Sequence, residues 1–404
     1  MFFDDNIEFT KHGYYEVDGF KTLSKFEAYR FAAGNIDKVK FIYNDDVMAM
    51  NDWTVEPAED IYELYAERAR QLRHKYDYLV LMYSGGIDSH TALRSFMDNG
   101  IHLNEICTFN NAKVEYKTDK FNQEVFNAAI PFVDSLDLHT MGTKFRLVDI
   151  SELIINQYHD EFHFENHHFY NQGTAPSWVN ATRSHLFKAK IKDHVKLTEQ
   201  GKTVCYIWGF DKPNVLLHEN KYAMYFYDAM VDLNMRQYIN RKVLAVNFGN
   251  FYDESFYICR EFPKITIKQG HLLLNLIKRT SVDDTRLKSQ DDLAATGPFV
   301  IHHRFKYFRF LSKKMVDGCI YPRADLARFG NDKVKGSIIL SAKDSWFNNS
   351  THENKNKLFQ KLSNLSIQNP DYFIKKNNIL IGIKPIASRP YIIGDYTFHE
   401  NNQT

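Results

Sequence analysis

Apolar and polar positions change period several times along the chain. Ile61, Leu64, Tyr65, Ala69 and Leu72 recur at helical spacing. With Pro57 before them and Glu59 and Asp60 in the first turn, they predict a helix opening near Pro57. Residues 77–83 (DYLVLMY) are then an apolar run rich in strand formers, as in a parallel strand buried on both faces. A helix-like stretch at 89–97, a strand at 105–109 (EICTF) and a helix at 120–127 follow. Further on come a helix-like stretch at 181–196 and a strand at 203–208 (TVCYIW). Strands alternating with helices predict βαβ units, hence an α/β fold with a parallel sheet flanked by helices. Upstream, 13–20 reads as a hairpin turning at Asp18-Gly19, and 25–33 as a helix. Downstream, 262–279 reads as a long helix with Leu272, Leu273 and Ile277 on its apolar face. The expected organisation is a small N-terminal module (1–56), a central α/β domain (57–245) and a mostly helical C-terminal extension (246–404).

Composition narrows the functional classes. Of 404 residues, 44% are hydrophobic and 25% charged, so a sizeable core is available and wholesale disorder is excluded. The 51 Lys+Arg nearly balance the 50 Asp+Glu, which excludes holding nucleic acid by net charge alone but leaves room for a local basic groove. Aromatic residues reach 15%, either as core or as stacking surface, and they are dense at 162–178 and 302–310. Cys107, Cys205, Cys259 and Cys319 are dispersed, against a disulfide scaffold or a zinc knuckle and in keeping with a reducing compartment. The acidic start, Met1-Phe2-Phe3-Asp4-Asp5, is unlike a basic leader, and no apolar run reaches the roughly 18 residues of a membrane span. A cytoplasmic protein without a membrane partner is the expectation.

Chemistry concentrates in Ser84-Gly85-Gly86-Ile87-Asp88-Ser89, between a strand and a helix. Glycines at such a turn let the backbone approach an anion, and the N–H groups of the helix start point at it. Ser84 and Ser89 add hydroxyls. The Asp88 carboxylate repels phosphate unless a Mg²⁺ ion bridges the two. Gly201-Lys202-Thr203 is not a mononucleotide loop, because Lys196 stands where the first glycine belongs and a strand follows.

Ser-Gly-Gly-x-Asp-Ser after a strand resembles the pyrophosphate loop of the N-type ATP pyrophosphatases, the PP-loop or adenine nucleotide α-hydrolase-like superfamily. In outline the chain is closest to the synthetase domain of asparagine synthetases. The resemblance covers 77–130 and extends loosely to Pro213. It implies cleavage of ATP between its α and β phosphates, adenylation of an acceptor, and displacement of AMP by ammonia or an amine. ATP and Mg²⁺ are the implied cofactors, a small-molecule acceptor and an ammonia or amine donor the implied partners, and a homo-oligomer is compatible. By position, Ser84, Gly85, Gly86, Asp88 and Ser89 would hold pyrophosphate. Met82, Tyr83, Phe109, Asn110 and Asn111 would hold adenine. Asp88 and Asp211 would anchor Mg²⁺, with Lys212 and Lys335 as catalytic cations and Arg183, Gly209 and Lys264 as acceptor contacts. The chain departs from the glutamine-dependent asparagine synthetases at residue 2, a Phe where they expose a cysteine, and its N-terminal module is too short for a glutaminase.

Other features carry rival readings. Asp211 and Pro213 also suit a plain turn, and Arg183 a surface or capping role. His159, His163, His167 and His168 have spacings compatible with zinc, but interleaved aromatics favour an amphipathic segment near the crevice. Lys268 and Lys333, like Lys264 and Lys335, fit solvated faces as well as phosphate contacts. Arg304, Lys306 and Arg309 form the patch expected if a tRNA or DNA base were the acceptor. A non-catalytic ATP-binding regulator is the third reading.

Overall fold

The apolar runs become strands. The structure, a computed structural model, describes residues 11–23, 25–33, 35–110, 125–149, 191–209, 214–228, 231, 250–283, 313–324, 373–376, 379–383 and 386–395. Strands β1 (Tyr14–Val17) and β2 (Phe20–Thr22) make the expected hairpin. Its turn places Asp18 at φ 47° and Gly19 at φ 85°, the paired left-handed conformations that suit a two-residue hairpin loop. After helix α1 (Lys25–Phe31), strand β3 (Lys40–Ile42) pairs with the free edge of β1. Helix α2 (Asp45–Met48) follows. Helix α3 (Ile61–Lys75) starts later than Pro57 implied, because Asp60 caps it: its carboxylate accepts from the Tyr62 N–H at 2.8 Å. Glu63 in turn accepts from the Asp60 N–H at 2.9 Å, which completes a capping box and leaves Pro57 and Glu59 outside the helix.

The central elements are β4 (Tyr78–Met82), α4 (Ile87–Met97), β5 (Glu105–Asn110), α5 (Ile130–Asp134), α6 (Leu138–Met141), β6 (Lys144–Asp149), α7 (Lys192–Glu199) and β7 (Val204–Trp208). A π-helical turn, Val125–Ala129, leads into α5 where sequence predicted the end of an α-helix; 120–124 and 181–190 lie outside the described residues. Strands β8 (Asn214–His218), β9 (Lys221–Tyr225) and β10 (Phe251–Ser255) follow, then α8 (Lys264–Asp283), α9 (Lys313–Ile320), β11 (Phe373–Lys376), β12 (Ile379–Ile383) and β13 (Tyr391–Asp395). The C-terminal part therefore supplies strands as well as helices: β13 pairs with β9, and β11 with β12. Among the described residues no helix is long and apolar enough to cross a membrane.

Five parallel strands in the order β10-β7-β4-β5-β6 form the central sheet, giving the expected α/β fold with a parallel sheet flanked by helices. The chain winds outward from β4 through β5 to β6, then returns to the other side of β4 for β7 and β10. The winding reverses between β4 and β7, the place where open α/β sheets leave a crevice beyond their carboxyl ends. Alternation along the strands puts Met82, Cys107, Phe109, Tyr206, Trp208 and Asp253 on one face, over which α7 lies through His194. The other face is covered by α3 and α4, with Arg68 on Glu254 and His90 on Tyr83.

Buried carboxylates fasten both faces. Glu254 on β10 is fully buried and gathers Lys11, Arg68 (3.0 Å), Lys75 (3.1 Å) and the Tyr76 hydroxyl, tying the N-terminal segment and α3 to the sheet edge. Burial pushes its pKa up, but the three cations outweigh that and hold the carboxyl well below its usual range. Asp228, also buried, receives Lys25 at 2.5 Å and the Tyr15 hydroxyl at 2.9 Å. The N-terminal elements, the parallel sheet and β13 share one contiguous apolar core, in which the Trp53 and Tyr391 ring centroids lie 4.6 Å apart. Glu105 on β5 accepts from Arg146 (2.6 Å) and Tyr78 (3.0 Å) and contacts His194 (3.0 Å). Burial raises its pKa, yet the His194 and Arg146 contacts prevail and bring it down to about 2.

Lys11 and Lys75 stay on Glu254 when Arg68 is replaced, so Arg68→Met removes one buried charge-assisted hydrogen bond and is expected to cost about 1.5–3 kcal/mol in denaturant unfolding. A folded pKa below the unfolded value of 4.5 stabilises above that value and is lost as pH falls through about 2. The stability gap between the native chain and Glu105→Gln should therefore be full above pH 4.5 and shrink towards pH 2, read from unfolding midpoints across that range.

Candidate active site

The 84–89 segment owes its shape to its two glycines and two serines. Gly85 takes φ 76°, a left-handed conformation that side chains resist, and so turns the chain out of β4. Gly86, extended at φ −84° and ψ 161°, is the N-cap of α4 and contributes no side-chain cap. Ser84 Oγ lies 3.1 Å from Ser89 Oγ and accepts the Gly86 N–H at 3.3 Å. Ser89 Oγ accepts the Ser84 N–H at 3.2 Å and lies 3.1 Å from the Gly86 carbonyl. The serines brace the turn from within while the first turn of α4, with its N–H groups and the positive end of its dipole, opens beyond the carboxyl end of β4.

Three further chain segments converge on that first turn. Gly209, directly after β7, lies so close that a Cβ there would come within 2.8 Å of Ser89 Cα and 3.1 Å of the Asp88 carbonyl. Tyr257, just past β10, donates its hydroxyl proton to the Asp88 carbonyl. Tyr321, just past α9, sets its buried ring against that of Tyr257, with centroids 5.5 Å apart; burial first, then the charge of Asp88, holds the phenol pKa well above its usual range. Asp88 itself is half-buried, with Oδ1 turned inside.

An aromatic floor lies beside the loop. Met82 pairs in register with both Trp208 and Cys107, and the Trp208 and Phe109 rings stand 6.2 Å apart on the same face of the sheet. The Trp208 indole N–H donates to Asp253 Oδ1 at 2.8 Å, which fixes the ring. Trp208 stood in the sequence only as the end of the 203–208 strand, at the head of the Gly209–Pro213 segment and with no role of its own, and neither Tyr257 nor Tyr321 stood out. For Trp208 that place at the carboxyl end of a strand was the signal; Tyr257 and Tyr321 come from distant segments and had none.

The expected site residues separate into groups. The structure brings Ser84, Gly85, Gly86, Asp88, Ser89, Met82, Tyr83, Phe109 and Gly209 to the reversal point, and Asn110 ends β5 nearby. The Tyr83 N–H is already bonded to the Cys107 carbonyl at 2.8 Å, and its own carbonyl accepts from Thr108 Oγ1 at 2.8 Å. Tyr83 therefore cannot offer an adenine its peptide N–H. Lys264 is not at the loop: it pairs with Glu59 at 2.5 Å and lines a separate cleft with Tyr62, Glu67, Arg70 and Arg323. Lys268 likewise engages Glu56 at 2.8 Å and the Pro57 carbonyl at 3.0 Å. Asn111, Arg183, Asp211, Lys212, Lys333 and Lys335 lie outside the described residues, as do the histidines at 159–168 and the 302–309 patch.

No protein-family model matches the chain, and no curated protein matches it. Two NAD synthetases are similar among solved structures. The NAD⁺ synthetase from Burkholderia pseudomallei shares 13% identity at a TM-score of 0.23, over 39% of this chain and 56% of that one. The NH₃-dependent NAD synthetase from Campylobacter jejuni subsp. jejuni NCTC 11168, in complex with the nitrate ion, shares 10% at 0.25, over 69% of this chain and 97% of that one. This chain thus spans little more than half the length of the first. Likeness at this level leaves the chemistry to be read from the chain's own residues.

Those residues suit a polyphosphate with a hard cation. A partly exposed carboxylate beside a Gly-rich helix start matches how Mg²⁺ is held, through one or two carboxylates with phosphate oxygens and water completing its shell. Among the described residues no group of three or more His, Cys, Asp or Glu side chains forms a protein-only cage. Gly209→Ala should force the backbones apart: we predict a loss of about 1–3 kcal/mol in unfolding free energy.

Proposed function

We propose that the chain is a Mg²⁺-dependent ATP pyrophosphatase that adenylates an acceptor for amidation or amine ligation. The observation that carries this reading is the loop at the β4–β7 reversal, where the α4 start, Gly209 and Asp88 meet. The β and γ phosphates would lie on the first turn of α4, against the Gly85 and Gly86 backbone, with the Ser84 and Ser89 hydroxyls beside them. Asp88 would hold Mg²⁺, and the ion would offset charge on the departing pyrophosphate. Adenine would rest by Met82, Phe109 and Trp208, whose face supplies stacking area.

In the reaction an acceptor oxygen attacks the α-phosphorus, the bond to the bridging oxygen breaks, and pyrophosphate leaves with that electron pair. Ammonia or an amine then attacks the adenylated carbon; AMP departs with the acceptor oxygen, and the nitrogen gives up a proton. A carboxylate or amide-like acceptor, as in asparagine synthetases, fits this sequence of steps. Asp211 and Lys212, two and three residues beyond Gly209, are proposed as second metal anchor and phosphate cation, with Lys335 a further cation and Arg183 an acceptor contact.

ATP labelled in the α and γ positions, incubated with Mg²⁺ and varied acceptors, should yield AMP and pyrophosphate; ADP and phosphate would sink the proposal. Asp88→Ala should lower that turnover by about a hundredfold or more while circular dichroism stays native. An unchanged rate would remove Asp88 from the mechanism.

A further inference from the structure

The aromatic floor beside the loop is held by a charge that the proposed chemistry does not use. Asp253, on β10, is fully buried, and removing a carboxylate from water is costly unless its oxygens are engaged. Its Oδ1 accepts the Trp208 indole N–H at 2.8 Å. The two residues stand diagonally across neighbouring strands, since Asp253 pairs in register with Tyr206 and Trp208 with Ser255. The bond therefore draws the indole from the carboxyl end of β7 towards β10 and back along the strand. From the other side, the Phe109 ring of β5 stands 6.2 Å from the same indole, inclined at 43°. Met82, in register with Trp208, occupies the strand between. Two further contacts keep this frame still: Gly209, next to Trp208, abuts the α4 backbone, and His12 Nε2 lies 3.2 Å from the Asp253 carbonyl. The ring so fixed is only half-buried, and it ends its strand where the sheet reverses its winding.

We propose that Asp253 is a positioning residue that holds the Trp208 ring as a fixed stacking wall for the base of the nucleotide. The inference rests on the reading of the 84–89 loop as the seat of the triphosphate. It deepens that reading by assigning base affinity to a residue that touches no ligand. A free indole turns about its side-chain bonds, whereas one tethered by a charge-assisted hydrogen bond has lost that freedom before the base arrives. Stacking draws on the face of the base, so the gain falls on the base and leaves the hold on the phosphates as it was.

Calorimetric titration of the full chain with Mg²⁺ and either α,β-methylene-ATP or inorganic tripolyphosphate separates the base from the phosphates. Asp253→Leu keeps the bulk of the side chain and removes the acceptor. Its Kd for the analogue should rise about tenfold, within what stacking on one ring supplies, while its Kd for tripolyphosphate stays native. Asp253→Asn, which retains an acceptor oxygen, should restore most of the analogue affinity. Trp208→Phe keeps a ring but loses the N–H, so its Kd for the analogue should rise likewise, and adding Asp253→Leu to it should cost nothing further. Native analogue affinity in Asp253→Leu or in Trp208→Phe overturns the inference, as does an equal loss with tripolyphosphate or an additive loss in the double variant. If Asp253→Leu fails to fold, Trp208→Phe decides alone by the same split between the two probes. A native chain that binds neither probe overturns the proposed function as well, whereas native binding of both that is unaffected by Asp253→Leu overturns this inference alone.

Discussion

The close approach of Gly209 to the first turn of α4 governs the geometry of everything around it. A Cβ at 209 would sit 2.8 Å from Ser89 Cα, so the end of β7 and the start of α4 touch backbone to backbone. This contact sits where the sheet reverses its winding, and it leaves no room for α4 to shift relative to the strand beside β4. Gly85 supplies the turn and the serine hydroxyls stiffen it. The result is a helix start held in place at the carboxyl end of β4, with Asp88 in its first turn.

Buried charge distributes that rigidity through the molecule. Glu254 draws Lys11, Arg68 and Lys75 onto β10, and the strand then carries Tyr257 to the Asp88 carbonyl. Asp253, next to Glu254, faces the opposite side and holds the Trp208 indole. One edge strand thus anchors the N-terminal segment behind the sheet, the helix turn beside the loop and an aromatic wall in front of it. The N-terminal elements belong to the same apolar core as the parallel sheet. The boundary at residue 56 therefore marks a change of sequence pattern and not a break in packing.

How much of this could be read from the chain follows from how local each signal is. The 77–83 run and the Gly-Gly turn are local, and they correctly locate β4, the loop and α4. The start of α3 is also local, but two signals compete there, and the Asp60–Glu63 capping box prevails over Pro57. Lys264 misled because a lone cation says nothing about its nearest carboxylate, here Glu59. Tyr257 reaches Asp88 and Tyr321 packs on Tyr257 across long stretches of sequence, and the pairing of β13 with β9 joins residues far apart in the chain. No periodicity encodes such contacts; they follow only from the assembled fold.

The central claim is that the 84–89 loop receives the pyrophosphate end of ATP at the reversal between β4 and β7. A crystal structure of the full chain with Mg²⁺ and α,β-methylene-ATP tests it most directly. The account predicts the β and γ phosphates on the first turn of α4, with the metal between them and Asp88 and the base beside Met82, Phe109 and Trp208. Phosphates bound elsewhere, with the α4 start facing only water, would contradict it.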